Sequence, residues 1–347
     1  MQGKLPFFAW GLLLMTTALA TTTHALSPDQ IAILVNEQSE DSKQLGAYYA
    51  NARGIPAANI IRVKTDPERS VIPSGEFTKI RESVIATTPE NVQAYAVAWQ
   101  TPYRVGCMSL TSALAFGFDK SHCASGCKPT AASELFDHDT RQPFTDLGLR
   151  PTMMLTANSL DGAKALVDRG VRSDFTKPIG AAYLVETTDK YRNTRAPTFS
   201  IAQLAHQKKI RVALIKSAGI RGRYDVLFYF TGSKRVPHLD TLGFLPGAMA
   251  DHLTSSGGVL NGRLQMSALE WIKAGATGTF GTVIEPCNFR QKFPEPTIAM
   301  KFYLDGETLI ESYWKSVQWP GQGLFVGEPL ARPFADRRSS VEPPPTK

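Results

Sequence analysis

Long apolar segments are scarce in this chain of 347 residues, because only residues 5–20 form an uncharged, mainly hydrophobic run. A protein that spans a membrane several times is therefore excluded. The chain also lacks internal repeats and low-complexity linkers. Hydrophobic residues make up 43% of the chain and charged residues 20%, and this balance excludes disorder over the whole chain because a sizeable core can form.

The chain also lacks a concentrated patch of one charge. Its formal net charge is +7, but Lys208 and Lys209 are its only adjacent lysines. Nucleic-acid-binding proteins usually gather their positive charge on one face or stripe. The sequence therefore argues against a nucleic-acid partner and leaves attraction to anionic envelope components open.

Residues 1–25 have the pattern of a secretory signal peptide. Lys4 precedes the apolar run, and small residues, ending in Ala25, follow it. A membrane anchor is the alternative reading, but the run is short for a span and contains Pro6. We expect cleavage after Ala25 and an exported protein, periplasmic or extracellular, with no transmembrane segment after cleavage.

The four cysteines are Cys107, Cys123, Cys127 and Cys287. An even number in an exported chain indicates two disulfides, of which three connectivities are possible. Zinc binding by the two central cysteines and His122 is the alternative, but their spacing is weak evidence and an oxidising compartment favours disulfides. We expect no metal and no cofactor.

Predicted strands and helices alternate along most of the chain. Strands are predicted at 30–36, 60–64, 93–99, 179–186, 210–216, 225–230 and 278–284, and helices at 43–53, 77–87, 159–169, 201–207, 265–274 and 307–317. Gly170 is expected to end the helix at 159–169. The alternation predicts an α/β fold with a mostly parallel sheet flanked by helices.

One stretch interrupts this alternation. Residues 101–149 show no regular pattern and hold three cysteines, so we expect a disulfide-tied excursion near a functional face. This stretch suggests two α/β subdomains, 27–149 and 150–334. Residues 335–347 are polar and Pro-rich, and we expect a disordered tail.

Three stretches together point to a known family. They are a helix ending in RGIP between two N-terminal strands, the series DVLFYFTGS, LPGAMADHLTSSGG, QMSALEWIKAGATG and TFGTVIEP, and the later LFVGEPLARPF. Their order resembles the gingipain-like peptidases of the caspase-like cysteine peptidase clan, which implies a caspase/gingipain-like three-layer core. From Ser27 to Phe334, phrases such as PYRV and LIESYWKSV resemble an uncharacterised family of exported bacterial proteins still more closely.

The peptidase pattern has its catalytic residues at two strand ends. One buried strand ends in His-Gly, the next ends at the nucleophilic Cys, and the domain closes on Gly-Asp-Pro. Here the corresponding segments are 231–233, which reads TGS, and 253–258, which reads LTSSGG, while Glu328 replaces the Asp. A cysteine peptidase needs a thiolate and an imidazole. The resemblance therefore implies a non-catalytic relative, a pseudoenzyme that binds a peptide or envelope ligand in the former catalytic cleft.

Two other functions stay open. An active hydrolase could use Ser255 or a neighbouring hydroxyl as nucleophile, with His252 or the displaced His238 as base, although Ser and Thr at a strand exit are also ordinary turn residues. The protein could also be a structural envelope component. Cys287 follows a predicted strand and is a rival candidate for the nucleophile. It comes one strand too late for the peptidase pattern, however, and a disulfide is the better assignment for it. The candidates for lining the cleft are Thr231, Gly232, Ser233, Thr254, Ser256 and Glu285.

Overall fold

The computed structural model describes residues 25–124 and 126–337. Nearly all of the predicted signal peptide, residues 1–24, and most of the predicted tail, residues 338–347, lie outside the described residues. Within the start of that tail, Asp336 forms an ion pair of 2.5 Å with Lys177. None of the helices in the described ranges is both long and apolar enough to cross a membrane.

Thirteen strands are present in the described part of the chain. They are β1 (Ile31–Asn36), β2 (Ile60–Val63), β3 (Val71–Ile72), β4 (Ala94–Val97), β5 (Arg104–Val105), β6 (Met108–Ser109), β7 (Thr152–Met154), β8 (Ala181–Glu186), β9 (Arg211–Lys216), β10 (Val226–Gly232), β11 (Phe244–Leu253), β12 (Gly278–Thr282) and β13 (Gly323–Gly327). Ten of them form one sheet in the order β2-β1-β4-β7-β13-β12-β11-β10-β8-β9, and β3, β5 and β6 form a small second sheet.

Nine α-helices lie in the described part of the chain. They are α1 (Glu40–Arg53), α2 (Ser74–Thr87), α3 (Leu110–Phe116), α4 (Pro143–Leu147), α5 (Leu160–Ser173), α6 (Phe199–His206), α7 (Leu269–Ala274), α8 (Pro296–Leu304) and α9 (Leu309–Lys315). For α1, the Ser39 hydroxyl accepts from the amide of Ser42, and Gly54 ends the helix in the left-handed conformation. The RGIP motif thus stops α1 as its glycine predicts.

The two halves of the large sheet run in opposite directions. Strands β2, β1, β4 and β7 are parallel to one another, and so are β9, β8, β10, β11 and β12. Between them, β13 is antiparallel to β12 and parallel to β7. The carboxyl ends of the two sets therefore lie at opposite edges, and each edge can gather its own loops.

Helices cover both faces of the sheet. All side chains of β10 are buried, as expected for a parallel strand with layers on both sides. On β11, His252 contacts Trp271 of α7, and the neighbouring Asp251 lies on the opposite face towards Tyr313 of α9. The predicted α/β fold with a mostly parallel sheet is confirmed. The sheet is continuous across the predicted subdomain boundary, because β7 joins β4 to β13.

Two predicted helix boundaries are wrong for reasons of packing. Helix α5 continues through Gly170 to Ser173. Gly170 does not end the helix but allows the Glu328 carboxylate to pack against it, because a Cβ at this position would lie 2.3 Å from that carboxylate. Helix α7 begins at Leu269 rather than at 265. The Gln265 side chain and the Met266 carbonyl instead accept hydrogen bonds within the protein, from Thr254 and His252 respectively.

The excursion at 101–149 is more regular than predicted. It contributes β5 and β6 to the small sheet and also contains α3 and α4. Two disulfides hold it, Cys107–Cys123 within the segment and Cys127–Cys287 to the loop after β12. The prediction of two disulfides is confirmed, and zinc binding by Cys123 and Cys127 has no free thiol to use.

Candidate functional site

The carboxyl ends of the strands in one half of the sheet surround a cavity of about 280 Å³. We call it the strand-end cleft. It is lined by residues 191–192 after β8, 253–255 at the end of β11, and 285–288 after β12, together with Cys127 and Phe293. Loops that follow parallel strands meet at one edge of the sheet, which is where α/β proteins commonly bind ligands.

The structure brings three of the predicted site residues together in this cleft. Thr254, Ser255 and Glu285 line it. The two cysteines of the Cys127–Cys287 disulfide line it as well. The disulfide fixes the excursion against the loop after β12, so it forms part of the cleft wall. The excursion therefore lies beside the strand-end cleft.

The other residues predicted to line the cleft do not line it; they are Thr231, Gly232, Ser233 and Ser256. The Thr231 hydroxyl donates to the Val185 carbonyl, and Ser233 donates to the carbonyl of Arg235. Gly232 packs against the backbone of the loop after β8. A Cβ at position 232 would lie 1.8 Å from the carbonyl oxygen of Arg192. Only glycine permits this approach, and it holds the loop that carries the cleft residue Arg192.

Arg192 is the cleft residue that the sequence did not reveal. Its Nε donates to the Thr254 hydroxyl at 3.0 Å, and its Nη1 forms an ion pair of 2.9 Å with Asp189. The Thr254 hydroxyl in turn donates to Gln265 Oε1, which also accepts from the Ser256 amide at 2.9 Å. This network fixes the β11 exit in one conformation. No local motif marks Arg192, because its partners are distant in sequence.

His252 is not positioned to act as a base in the cleft. Its Nδ1 accepts from the Trp271 indole N–H at 2.9 Å, so the ring proton resides on Nε2, which donates to the Met266 carbonyl at 3.2 Å. The residue is fully buried. Burial lowers the pKa of His252 to about 3, and the positive charges of Arg195 and Arg192 act in the same direction. The imidazole is therefore neutral, and both nitrogens are occupied.

His238 lies outside the cleft as well. It belongs to the connection between β10 and β11, where its φ of 64° is left-handed, and its Nε2 lies 2.6 Å from Nη2 of Arg221. The residue does not line the strand-end cleft. Neither of the two histidines considered as a base therefore reaches Ser255.

A buried ion pair lies beneath the cleft. Arg195 Nη2 is 2.6 Å from Asp251 Oδ1, and both residues are almost fully buried. The guanidinium also donates to the carbonyls of Pro294, at 2.9 Å, and Thr231, at 2.7 Å. Burial raises the pKa of Asp251 to about 6, although Arg195 acts to lower it. The pair ties the loop after β8 to β10 and β11.

Charges of both signs face the cleft. Glu285 is exposed and accepts from the Cys287 amide at 2.6 Å, and Arg192 also lines the cleft. Lys292, behind this region, donates to the carbonyl of Lys128 at 3.1 Å. Burial lowers the pKa of Lys292 to about 8, and the Glu285 carboxylate partly offsets that effect. The cleft thus offers an acceptor for a cation and a donor for an anion.

Other cavities are present in the described part of the chain. The larger one, about 730 Å³, lies between the loops that follow β10 and β11 and is lined by Arg235, Glu270 and Lys273 among others. Gln265 lines it too, so this residue separates it from the strand-end cleft. A smaller cavity of about 240 Å³ lies at the opposite edge of the sheet, where residues 98–101 and 156–159 follow β4 and β7. We take the strand-end cleft as the site because it contains predicted residues from separate strands.

The cleft supplies hydroxyl groups and charges but no thiol and no imidazole, since its two cysteines form a disulfide. Across residues 25–124 and 126–337, no three His, Cys, Asp or Glu side chains are grouped so that they could hold a metal ion. A scan against protein-family models and a search of curated proteins give no match. The hydroxyl groups and charged side chains that line the cleft are suited to hydrogen bonding and charge pairing with a ligand.

Proposed function

We propose that this protein is an exported, non-catalytic relative of the gingipain-like peptidases that binds a short peptide segment in the strand-end cleft. One observation carries the proposal: the cleft is lined by Thr254 and Ser255 together with side chains of opposite charge, Arg192 and Glu285, whereas the nearby His252 is buried and fully hydrogen-bonded. A hydrolase needs a base next to its nucleophile. A binding protein needs only donors, acceptors and shape.

The strand arrangement supports this relationship. In the peptidase pattern, the His-Gly and Cys positions end two successive strands. The corresponding ends here, Gly232 and Leu253, are register partners on the parallel neighbours β10 and β11. On this proposal, the positions that correspond to the catalytic pair carry threonine and serine residues in place of the imidazole and thiol. Two disulfides suit an oxidising compartment outside the cytoplasm.

The charges define the segment that we expect. Glu285 would pair with a lysine, arginine or amino-terminal cation, and Arg192 would donate hydrogen bonds to a backbone carbonyl or a carboxylate. A volume of about 280 Å³ lies at the lower end of ligand pockets, which are about 300–1,000 Å³. The cleft therefore suits one side chain with its flanking backbone rather than a folded partner.

Peptide selection tests the proposal. A displayed library of random short peptides is selected on the full protein, and titration calorimetry measures the Kd of the selected peptides. We expect enrichment of cationic residues and a Kd a few-fold weaker in Glu285→Gln, since Glu285 is exposed and an exposed charge pair contributes up to about 1 kcal/mol. The matched control is Glu270→Gln, which changes the larger cavity and leaves the Kd unchanged. No enrichment, or equal effects of both variants, would contradict the proposal.

Catalysis is tested separately. We expect neither a fluorophosphonate nor a thiol-directed peptidase probe to label the protein, and no cleavage of Arg- or Lys-containing peptides above background. Reproducible hydrolysis that disappears in Ser255→Ala would overturn the non-catalytic assignment and favour the hydrolase alternative. Because the Ser255 side chain lies at the cleft surface, this variant should retain its thermal stability, which circular dichroism checks.

A further inference from the structure

The first described residues are fixed inside the protein. Leu26 is fully buried, and Ala25 is 7% exposed. The backbone nitrogen of Leu26 donates to Glu311 Oε2 at 3.2 Å, although the two residues are 285 positions apart in sequence. Ser27 then caps the short helical turn that leads into β1. The nitrogen of Leu26 therefore has a defined position beside the first turn of α9.

Glu311 lacks a cationic partner there. Its Oε2 accepts hydrogen bonds from the amide and the hydroxyl of Thr308, and its Oε1 has no hydrogen-bond partner among the described residues. The neighbouring Glu307 pairs with Lys315 at 2.6 Å and with Arg141 at 3.6 Å. In the part of the chain that the structure describes, no ion pair involves Glu311, which is 1% exposed. A buried carboxylate in this state is costly.

We propose that cleavage of the peptide bond between Ala25 and Leu26 creates the missing partner, an α-ammonium group on Leu26 that forms a buried ion pair with Glu311. A signal peptidase would catalyse the hydrolysis. Water adds its oxygen to the carbonyl carbon of Ala25, the C–N bond breaks, and the Leu26 nitrogen takes a proton from that water and a second from solvent. The single N–H donor becomes a cation with three donors.

The position of the cut is decisive. Consecutive Cα atoms are about 3.8 Å apart, so a chain that kept Ala25 would carry its ammonium group one residue away from Glu311. Only cleavage after Ala25 brings charge to a nitrogen that already contacts the carboxylate. Signal removal would thus stabilise the folded protein as well as release it, and this inference does not depend on what the strand-end cleft binds.

Two forms of the full mature chain test the inference. One begins at Leu26, released from a fusion without extra residues, and the other begins with glycine followed by Ala25. Each is made as wild type, as Glu311→Gln and as the control Glu82→Gln, which changes an exposed glutamate of α2. Urea denaturation gives the unfolding equilibrium constant of each protein.

We expect that the form beginning at Leu26 has an unfolding constant about tenfold or more smaller than that of the longer form, because breaking a buried charge pair is strongly unfavourable. The difference should vanish in Glu311→Gln and persist in Glu82→Gln, as expected for a coupling between two specific groups. Equal constants for the two wild-type forms, or a difference that survives in Glu311→Gln, would overturn the proposal.

A measurement on the unsubstituted protein covers the case in which Glu311→Gln does not fold. Reductive methylation is applied to the form beginning at Leu26, with and without denaturant, and mass spectrometry follows the α-amine. We expect native methylation to be slower by about tenfold or more, since the amine must be exposed by local unfolding before it reacts. Equal rates would show an amine free in solvent and would refute the ion pair.

Discussion

Replacing Arg195 by methionine would leave the Asp251 carboxylate without its partner inside the protein. Methionine keeps much of the length and apolar contact of arginine but removes its charge and its donors. Asp251 is fully buried, and neither of its oxygens accepts a well-directed hydrogen bond among the described residues. The guanidinium is therefore the main compensation for this charge, and the Thr231 and Pro294 carbonyls also lose a donor.

We expect Arg195→Met to lower the free energy of unfolding by about 3–5 kcal/mol at pH 8, the usual cost of removing one partner of a buried pair. The cost should depend on pH. Asp251 titrates near 3.9 when unfolded, and burial raises its pKa to about 6 in the folded protein. The folded state therefore binds more protons between these values, and this residue's contribution to stability is full below about pH 4 and is lost as the pH rises through about 6.

This linkage amounts to about 3 kcal/mol in the wild type, from roughly two pKa units at about 1.4 kcal/mol each. Without Arg195 the pKa of Asp251 should rise further, so the loss extends to higher pH. The variant should thus be damaged less at pH 5, where Asp251 can become protonated, than at pH 8. His252 titrates in the unfolded state of both proteins, so its effect largely cancels in the difference.

Urea denaturation at pH 5 and pH 8 measures these differences. The double variant Arg195→Met with Asp251→Asn should recover a large part of the loss, because no charge is then left buried. Arg192→Met is the matched control: its ion pair with Asp189 is partly exposed, and its loss should cost less than about 1 kcal/mol. A cost for Arg195→Met below about 1 kcal/mol, equal at both pH values, would refute the reasoning.

Three further predictions concern the same half of the fold. Trp271→Phe removes the N–H donor of His252 Nδ1, and differential scanning calorimetry should show a loss of about 1–3 kcal/mol; an unchanged Tm would contradict it. Gly232→Ala would meet a backbone carbonyl at 1.8 Å and should cost about 1–3 kcal/mol and weaken peptide binding, whereas Gly75→Ala, with no atom within 4 Å, should do neither. Replacing both cysteines of one disulfide by serine should lower the free energy of unfolding by about 5 kcal/mol for the disulfide that spans 160 residues and by about 3 kcal/mol for the one that spans 16. Equal losses in urea denaturation would argue against this chain-entropy account.

The sequence predicted many of the local elements because their signals are local, although β7, β13 and α8 were not among them. The apolar run around Val226–Phe230 predicted a buried strand, and β10 is buried throughout. The signals failed where a distant contact decides the boundary. Gly170 looked like a helix stop, but it makes room for Glu328, which is 158 positions further along the chain. No pattern within one segment carries that information.

The cleft was predicted only in part for a related reason. Thr254, Ser255 and Glu285 follow predicted strand ends, so the convergence of strand ends at one edge was enough to propose them. Arg192 follows β8 in a loop without a motif, and its role arises from contacts with Thr254 across the edge. The sequence also could not exclude His252 as a base, because its neighbours in sequence say nothing about the indole of Trp271.

By itself, the sequence determined the alternation of strands and helices, the expectation of two disulfides, and the threonine and serine residues at the ends of β10 and β11. Only the tertiary structure decided the disulfide partners, the reversal of direction at β13 and the side of β11 on which each residue lies. The alternation of strands and helices depends on periodicity within each segment. Strand register, and the face of the sheet on which each side chain lies, depend on pairing between segments. A shift of one residue in that pairing would exchange Asp251 and His252 between the two faces of the sheet.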